Sequence, residues 1–155
     1  MTTTSPTTAP TTAPTVDGRA IALAHYAGRA VLESVLARYG LTFQQSVTLR
    51  PVAIADTAVE RDELVAQIAD ALKVEAADVH GVVDELAAQR LIAVEGPKLL
   101  VTDAGRDLYA GTSTETGKIS ARIYAGLSAE DLATAGRVLA LVTERANAEL
   151  AALAE

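Results

Sequence analysis

The sequence predicts a mainly α-helical chain with one small β-hairpin wing, the order of a winged helix-turn-helix set between long N- and C-terminal helices. Three observations predict it. Apolar residues recur every three or four positions through most of the chain. Residues 60–101 read as helix, turn, helix and then two short apolar runs about the pair Gly96-Pro97. Aromatic residues are only 3% of a chain that is 50% hydrophobic, so the core is aliphatic and alanine-rich, which suits closely packed helices.

In chain order, residues 1–17 are built almost wholly from Thr, Pro and Ala. Such a segment cannot bury enough apolar surface to offset the entropy of ordering it, and it is expected to be a disordered tail. Residues 18–39 are expected to form a helix with Ile21, Ala24, Gly28, Val31, Leu32, Val35 and Leu36 on one face. Gly40 then suits the left-handed position that ends a helix. Thr42-Phe43-Gln44-Gln45 has the form of a capping box, which starts a second helix over about 43–55. Pro51 removes a backbone donor and should kink that helix or end its regular part.

A third helix, over about 61–72, carries Leu64, Val65, Ile68 and Leu72 on one face. A fourth, over about 76–89, carries Val79, Val82, Val83 and Leu86 at the i, i+3, i+4, i+7 spacing of an amphipathic helix. Residues 91–94 and 99–101 are short strands about a tight hairpin turn at 95–98. Thr102 can cap a fifth helix to about 125, with a break or surface loop between Gly111 and Gly117. Ser128-Ala129-Glu130-Asp131 opens a last helix to about 153. Its Leu132, Ala135, Leu139, Val142, Ala146, Leu150 and Leu153 lie three or four apart, close to a heptad seam. A long apolar seam on a terminal helix needs something to cover it, and the first helix has a matching stripe. Both are expected to pack against a second subunit. The chain after the tail, 18–155, is expected to be one domain. Its winged helix spans about 42–101 and its dimerisation helices about 18–39 and 103–154.

A net charge of −7 argues against general affinity for nucleic acid or anionic membrane, though not against a local basic patch. The absence of cysteine removes disulfides, thiolate metal sites and cysteine nucleophiles, and fits a cytoplasmic protein. No apolar run approaches the ~18 residues of a spanning helix, so no membrane association is expected. The N-terminus lacks the basic and apolar regions of a secretory signal. The two histidines fall on different predicted elements, so neither a metal site nor a cofactor is expected. The stretch from Gly111 to Lys118 looks like a phosphate-binding loop at a glance. It has one residue too many between its glycines, Ile119 where Ser or Thr is required, and a helix rather than a strand before it. No nucleophile-elbow word and no convergent acid, base and nucleophile occur, so the chain is not expected to be an enzyme.

Certain local words, in this order, resemble the multiple-antibiotic-resistance regulator (MarR) family of dimeric winged-helix transcription factors. They are Tyr39-Gly40-Leu41-Thr42 with Gln45 and Leu49, Glu63-Leu64-Val65, Val82-Val83-Asp84-Glu85-Leu86 and Leu91-Ile92. They continue through Val101-Thr102-Asp103-Ala104-Gly105-Arg106 and Gly126-Leu127-Ser128-Ala129-Glu130-Asp131-Leu132, so that the resemblance covers roughly 20–155. It implies a homodimer through the first and last helices, with residues 76–89 as the recognition helix in the major groove and 95–98 as the wing tip. It also implies a repressor released by a small organic effector bound between the dimer helices and the DNA-binding lobes.

The charge of the reading module departs from that pattern. Residues 60–101 carry Glu60, Asp62, Glu63, Asp70, Glu75, Asp78, Asp84, Glu85 and Glu95 against Arg61, Lys73, Arg90 and Lys98. Phosphate neutralisation supplies much of DNA affinity, so a reader should be basic there. The family's wing arginine has no counterpart in Glu95-Gly96-Pro97-Lys98, and Arg90 stands where the family commonly has glycine after the recognition helix. The expected outward face before Gln89 offers no Arg, Lys, Asn or Gln, the usual readers of base edges. Glu75 and Asp78 complement the dipole of the helix they open, which is a structural role. The candidate DNA-contacting residues are therefore Arg61, Lys73, Arg90 and Lys98 for phosphate, with Ala76, His80 and Gly81 on the outward face. His25, Tyr26, Tyr39 and Tyr109 are the candidates for lining an effector site, although such amphipathic rings also serve as ordinary packing groups. Two functions follow: a MarR-like regulator binding duplex DNA as a homodimer, or a winged-helix interaction or ligand-binding module that has lost specific DNA binding.

Overall fold

The computed structural model describes residues 15–154. Its elements are α1 (Gly18–Arg38), α2 (Phe43–Ile54), β1 (Val59–Glu60), α3 (Arg61–Leu72), α4 (Ala76–Ala88), β2 (Ile92–Glu95), β3 (Lys98–Val101), α5 (Asp103–Ile123) and α6 (Ala129–Leu153). They form two compact units, one ending at Ser113 and the other starting at Thr114, so the division falls within α5. The segment expected to be a disordered tail lies outside the described residues as far as position 14. At its end, Asp17 caps α1 by accepting from the Ala20 amide at 2.8 Å.

In the first unit α4 buries the whole stripe that periodicity predicts and α3 all of its stripe but the half-buried Leu72, whereas α1 buries only Val35 and Leu36 of its stripe. Leu36, Leu49, Leu64, Val83, Leu86 and Leu99 are each at most 1% exposed, and α4 buries Val79, Val82, Val83 and Leu86 together. Burying a side chain of this size stabilises the fold by about 1.5–3 kcal/mol, so this stripe is what fixes α4 in place. The capping box of α2 is complete. Gln45 donates its amide N–H to Thr42 Oγ1 at 3.1 Å, and its side-chain Oε1 accepts from the Thr42 amide at 3.0 Å.

Pro51 does not end α2, which runs on to Ile54. Leu49 and Val52 flank the proline and are buried, and that burial outweighs one missing backbone bond.

Three helices of this unit end in the same way. After α1, α3 and α4 the chain turns through a residue at positive φ: Gly40 (69°), Lys73 (54°) and Arg90 (60°). In each case the next residue's amide reaches back to the helix's last turn: Leu41 to Leu36 O, Val74 to Ala69 O and Leu91 to Leu86 O. This is the Schellman arrangement, which satisfies carbonyls the helix end would leave open.

The sheet has three antiparallel strands in the order β1-β3-β2, not the two of the expected hairpin. β1 pairs Val59 with Leu99 and Glu60 with Lys98. Two residues are too few to show an alternating pattern, so β1 leaves no periodic trace in the sequence. The wing turn places Gly96 at φ 61° ahead of Pro97, whose ring fixes a negative φ. That sign pattern belongs to the type II′ hairpin turn, whose twist matches the flanking strands.

α5 is one continuous helix, without the break expected between Gly111 and Gly117. Thr112 turns its hydroxyl onto the helix, donating to Leu108 O at 3.0 Å and Tyr109 O at 3.1 Å. Two of the helix's glycines permit close packing instead. A Cβ on Gly111 would come within 3.2 Å of the Tyr39 ring, and one on Gly105 would collide with the Leu91 carbonyl oxygen. Thr102 caps the helix as expected, accepting from the Gly105 amide at 3.0 Å.

The second unit holds the rest of α5 and all of α6. Ser128 caps α6 by accepting from the Asp131 amide at 3.0 Å. No residue of α6 is buried, and Leu132, Leu139, Val142 and Leu150 of its seam stand 38–51% exposed. No described helix is long and apolar enough to cross a membrane.

Candidate functional site

The outward face of α4 is what remains once its apolar stripe is buried. Glu75, Ala76, Asp78, Gly81, Asp84 and Glu85 are exposed, and His80 is half-buried. Two polar ties hold this helix from its flanks. From α2, Gln45 Nε2 donates to Glu85 Oε2 at 2.9 Å, so one buried glutamine both caps its own helix and grips the next. From α3, Arg61 makes three contacts with α4. Its Nε donates to His80 Nδ1 at 3.2 Å, and its Nη2 donates to His80 O at 3.3 Å and to Asp84 Oδ1 at 2.7 Å. The Arg61 amide also donates to Pro97 O at 2.9 Å, so the same residue fastens the wing turn. Its side chain is only 21% exposed.

These contacts explain several of the acids. Asp84 and Glu85 anchor α4 to its neighbours. Asp70 accepts from Lys73 Nζ at 2.8 Å, and Glu60 lies 3.7 Å from Lys98 Nζ across the β1-β3 pair. Glu75 and Asp78 stand at the start of α4, where the helix dipole favours negative charge, although Glu75 makes no side-chain cap bond.

The residues expected to meet DNA are therefore not equivalent. Arg61 is engaged in holding α4. Lys73 and Lys98 are exposed and paired with single carboxylates. Arg90 is exposed at the bend between α4 and the wing, where its backbone carbonyl accepts from Thr102 Oγ1 at 2.7 Å. Ala76 and Gly81 present no side chain beyond a methyl group. The Arg61–His80 contact leaves no trace in the sequence, because partners 19 residues apart are joined only by the packing of α3 on α4. The tie from Gln45 to Glu85 was hidden for the same reason. Gln45 was legible only as a cap.

The four candidate effector-lining residues do not converge. His25 lines a shallow groove of about 250 Å³ with Ala24, Gly28, Arg29, Leu32 and Phe43. Tyr26 is exposed beside it, its ring 5.7 Å from that of His25. Tyr39 packs instead against Gly111, and Tyr109 against the hydrophobic core. Arg29 was not singled out by the sequence. It lies 4.4 Å from the Phe43 ring centroid, a cation–π contact, and donates to Glu33 Oε1 at 2.9 Å.

No family model and no curated protein matches the chain. Solved structures do. A MarR family transcriptional regulator from Rhodococcus sp. matches at a TM-score of 0.65 and 16% identity, over 79% of this chain and 88% of that one. A MarR family protein from Mycobacterium tuberculosis matches at 0.59 and 21%, over 81% and 92%. CouR from Rhodococcus jostii, solved with p-coumaroyl-CoA bound, matches at 0.67 and 16%, over 79% and 87%. Likeness at such identities speaks for the fold alone, and it agrees with the order of elements, the three-stranded sheet and the wing: this chain has the winged-helix fold of the MarR family transcriptional regulators.

Proposed function

We propose that this protein is a MarR-like transcriptional regulator, a ligand-responsive repressor that binds duplex DNA as a homodimer. The observation that carries the reading is the mounting of α4. Its apolar stripe and the tie from Gln45 hold it in place, and Ala76 and Gly81 face outward between exposed carboxylates, beside a hairpin. A rigid helix edge next to a wing suits entry into the major groove.

Affinity then rests on few charges. Lys73 and Lys98 sit in exposed ion pairs, which are worth little and can be exchanged for phosphate contacts. With Arg90 they supply two or three phosphate contacts per subunit. A dimer would neutralise about four to six phosphates, and the logarithm of affinity should fall with the logarithm of salt at a slope of about −4 to −5. Support for the homodimer comes from the α6 seam, none of whose residues is buried. Support for an effector comes from the groove on α1, where a cation and two rings surround a space that could receive part of a small aromatic acid.

A second reading is favoured by one observation: four carboxylates, Glu75, Asp78, Asp84 and Glu85, stand exposed along α4. On that reading the face meets a basic protein rather than DNA. Titrating the protein against DNA from upstream of its own gene at two salt concentrations separates the two. Sequence-selective binding that weakens steeply with salt is expected. Undetectable binding to every fragment at low salt would remove the regulator reading and leave the second.

A further inference from the structure

We propose that His80 is a proton-operated latch on Arg61, so that protonating it releases the arginine from α4 and adds positive charge to the reading face. The inference rests on the regulator reading for its effect on DNA, but the latch itself is a property of the α3–α4 contact.

The argument is one of donors and acceptors. A guanidinium N–H can only donate. Arg61 Nε lies 3.2 Å from His80 Nδ1, so that nitrogen must accept, and the imidazole in this arrangement carries its hydrogen on Nε2. Adding a proton to Nδ1 turns the acceptor into a donor facing a donor, and sets a second positive charge against the guanidinium. The contact cannot survive in that form. Histidine is the side chain suited to such a change near neutral pH.

The surroundings decide where the charges go. From α3 the charged group on the imidazole is Arg61 itself. Along α4 the nearest is Asp84, one turn on, which now accepts from Arg61 at 2.7 Å. Glu60, at the end of β1 just before Arg61, lies against Lys98 of β3. The polar tie from α2 reaches Glu85, which lies about 140° around the helix from His80 at 100° per residue. Among the described residues, Asp84 is therefore the carboxylate placed to serve both cations. Once His80 is charged, Asp84 can pair with it at the i, i+4 spacing, and Arg61 loses its Nε partner and its hold on Asp84. The outward face then carries an imidazolium and a released guanidinium where it had carried a neutral ring and a tethered arginine.

The effect on DNA has a sign and a size. Each subunit gains one charge at His80, so a dimer gains two. If each meets a phosphate, the salt slope steepens by about 2, and affinity falls about ten-fold further between 50 and 200 mM salt at low pH than at high pH. The test uses the full chain and its cognate fragment at about pH 8 and about pH 6. The parent should bind more tightly and with the steeper slope at the lower pH. His80→Asn keeps an acceptor oxygen near the Nδ1 position but does not titrate, and its affinity and slope should be the same at both values. A parent that binds equally or more weakly at low pH overturns the proposal, as does a variant that keeps the parent's pH dependence. A second measurement needs no DNA. In nuclear magnetic resonance of the free protein, the Arg61 Nε–H signal should move with the titration of the His80 ring. If the ring titrates and that signal does not follow, the latch is disproved. If no DNA is bound at any pH, the regulator reading fails and this second measurement alone decides the latch.

Discussion

Lys73 and Arg90 hold backbone conformations that favour glycine, at φ 54° and 60°. An L-residue there is disfavoured by about 1–2 kcal/mol, offset in part by the greater entropy glycine loses on folding. Lys73→Gly should therefore raise unfolding stability by about 0.5–1 kcal/mol, read by denaturant titration. The exposed pair with Asp70 that it removes is worth less than that. Arg90→Gly should stabilise the fold by a similar amount while flattening the salt slope of DNA binding by about 2 for a dimer. An unchanged slope would take Arg90 out of the interface. Gly105 is the opposite case, because it has no room for a side chain. Gly105→Ala should cost about 1–3 kcal/mol through its clash with the Leu91 backbone, measurable as a lowered melting temperature. A variant as stable as the parent would contradict the packing of α5 on the Leu91 backbone.

At the scale of elements, α4 is positioned by apolar burial and by side chains borrowed from two other helices. Gln45 links two of these elements at once. Gln45→Ala removes half of a capping box and the hydrogen bond to Glu85, so it should destabilise the fold by about 1–2 kcal/mol. Replacing Glu85 by Ala should cost less, because the exposed carboxylate can also be solvated by water. Equal costs would show that the cap contributes nothing. Element identity was largely legible from the chain, since Val79, Val82, Val83 and Leu86 could share a face only in a helix, and Thr42 with Gln45 marked a helix start. The glycines of α5 misled because glycine lowers helix propensity wherever it stands. Its use at Gly105 and Gly111 depends on the residues opposite, Leu91 and Tyr39.

For the molecule as a whole, the decisive feature is a 25-residue terminal helix with no buried residue and a continuous apolar seam. A second copy of the chain is the proposed cover. Sedimentation at micromolar concentration should give a species at twice the 16.0 kDa of one chain. Leu139→Glu would place a charge in the seam and should shift the equilibrium toward monomer. A parent that sediments as a monomer would contradict the homodimer.

Legible from the chain alone were the fold class, most of the core stripes of α3 and α4, the caps of α2, α5 and α6, and the acidity of residues 60–101. These are local or periodic properties, written in spacing and composition. Which charges are available is set by the folded arrangement. It spends Arg61 on His80 and Asp84, sets Lys98 against Glu60, leaves Arg90 exposed, and divides His25 and Tyr26 from Tyr39 and Tyr109. The physical reason is that a side chain's charge is fixed by its chemistry, whereas its partner is fixed by which helices pack together. The contrast between a winged-helix shape and an acidic α4 face thus centres on the contact of one arginine with one histidine.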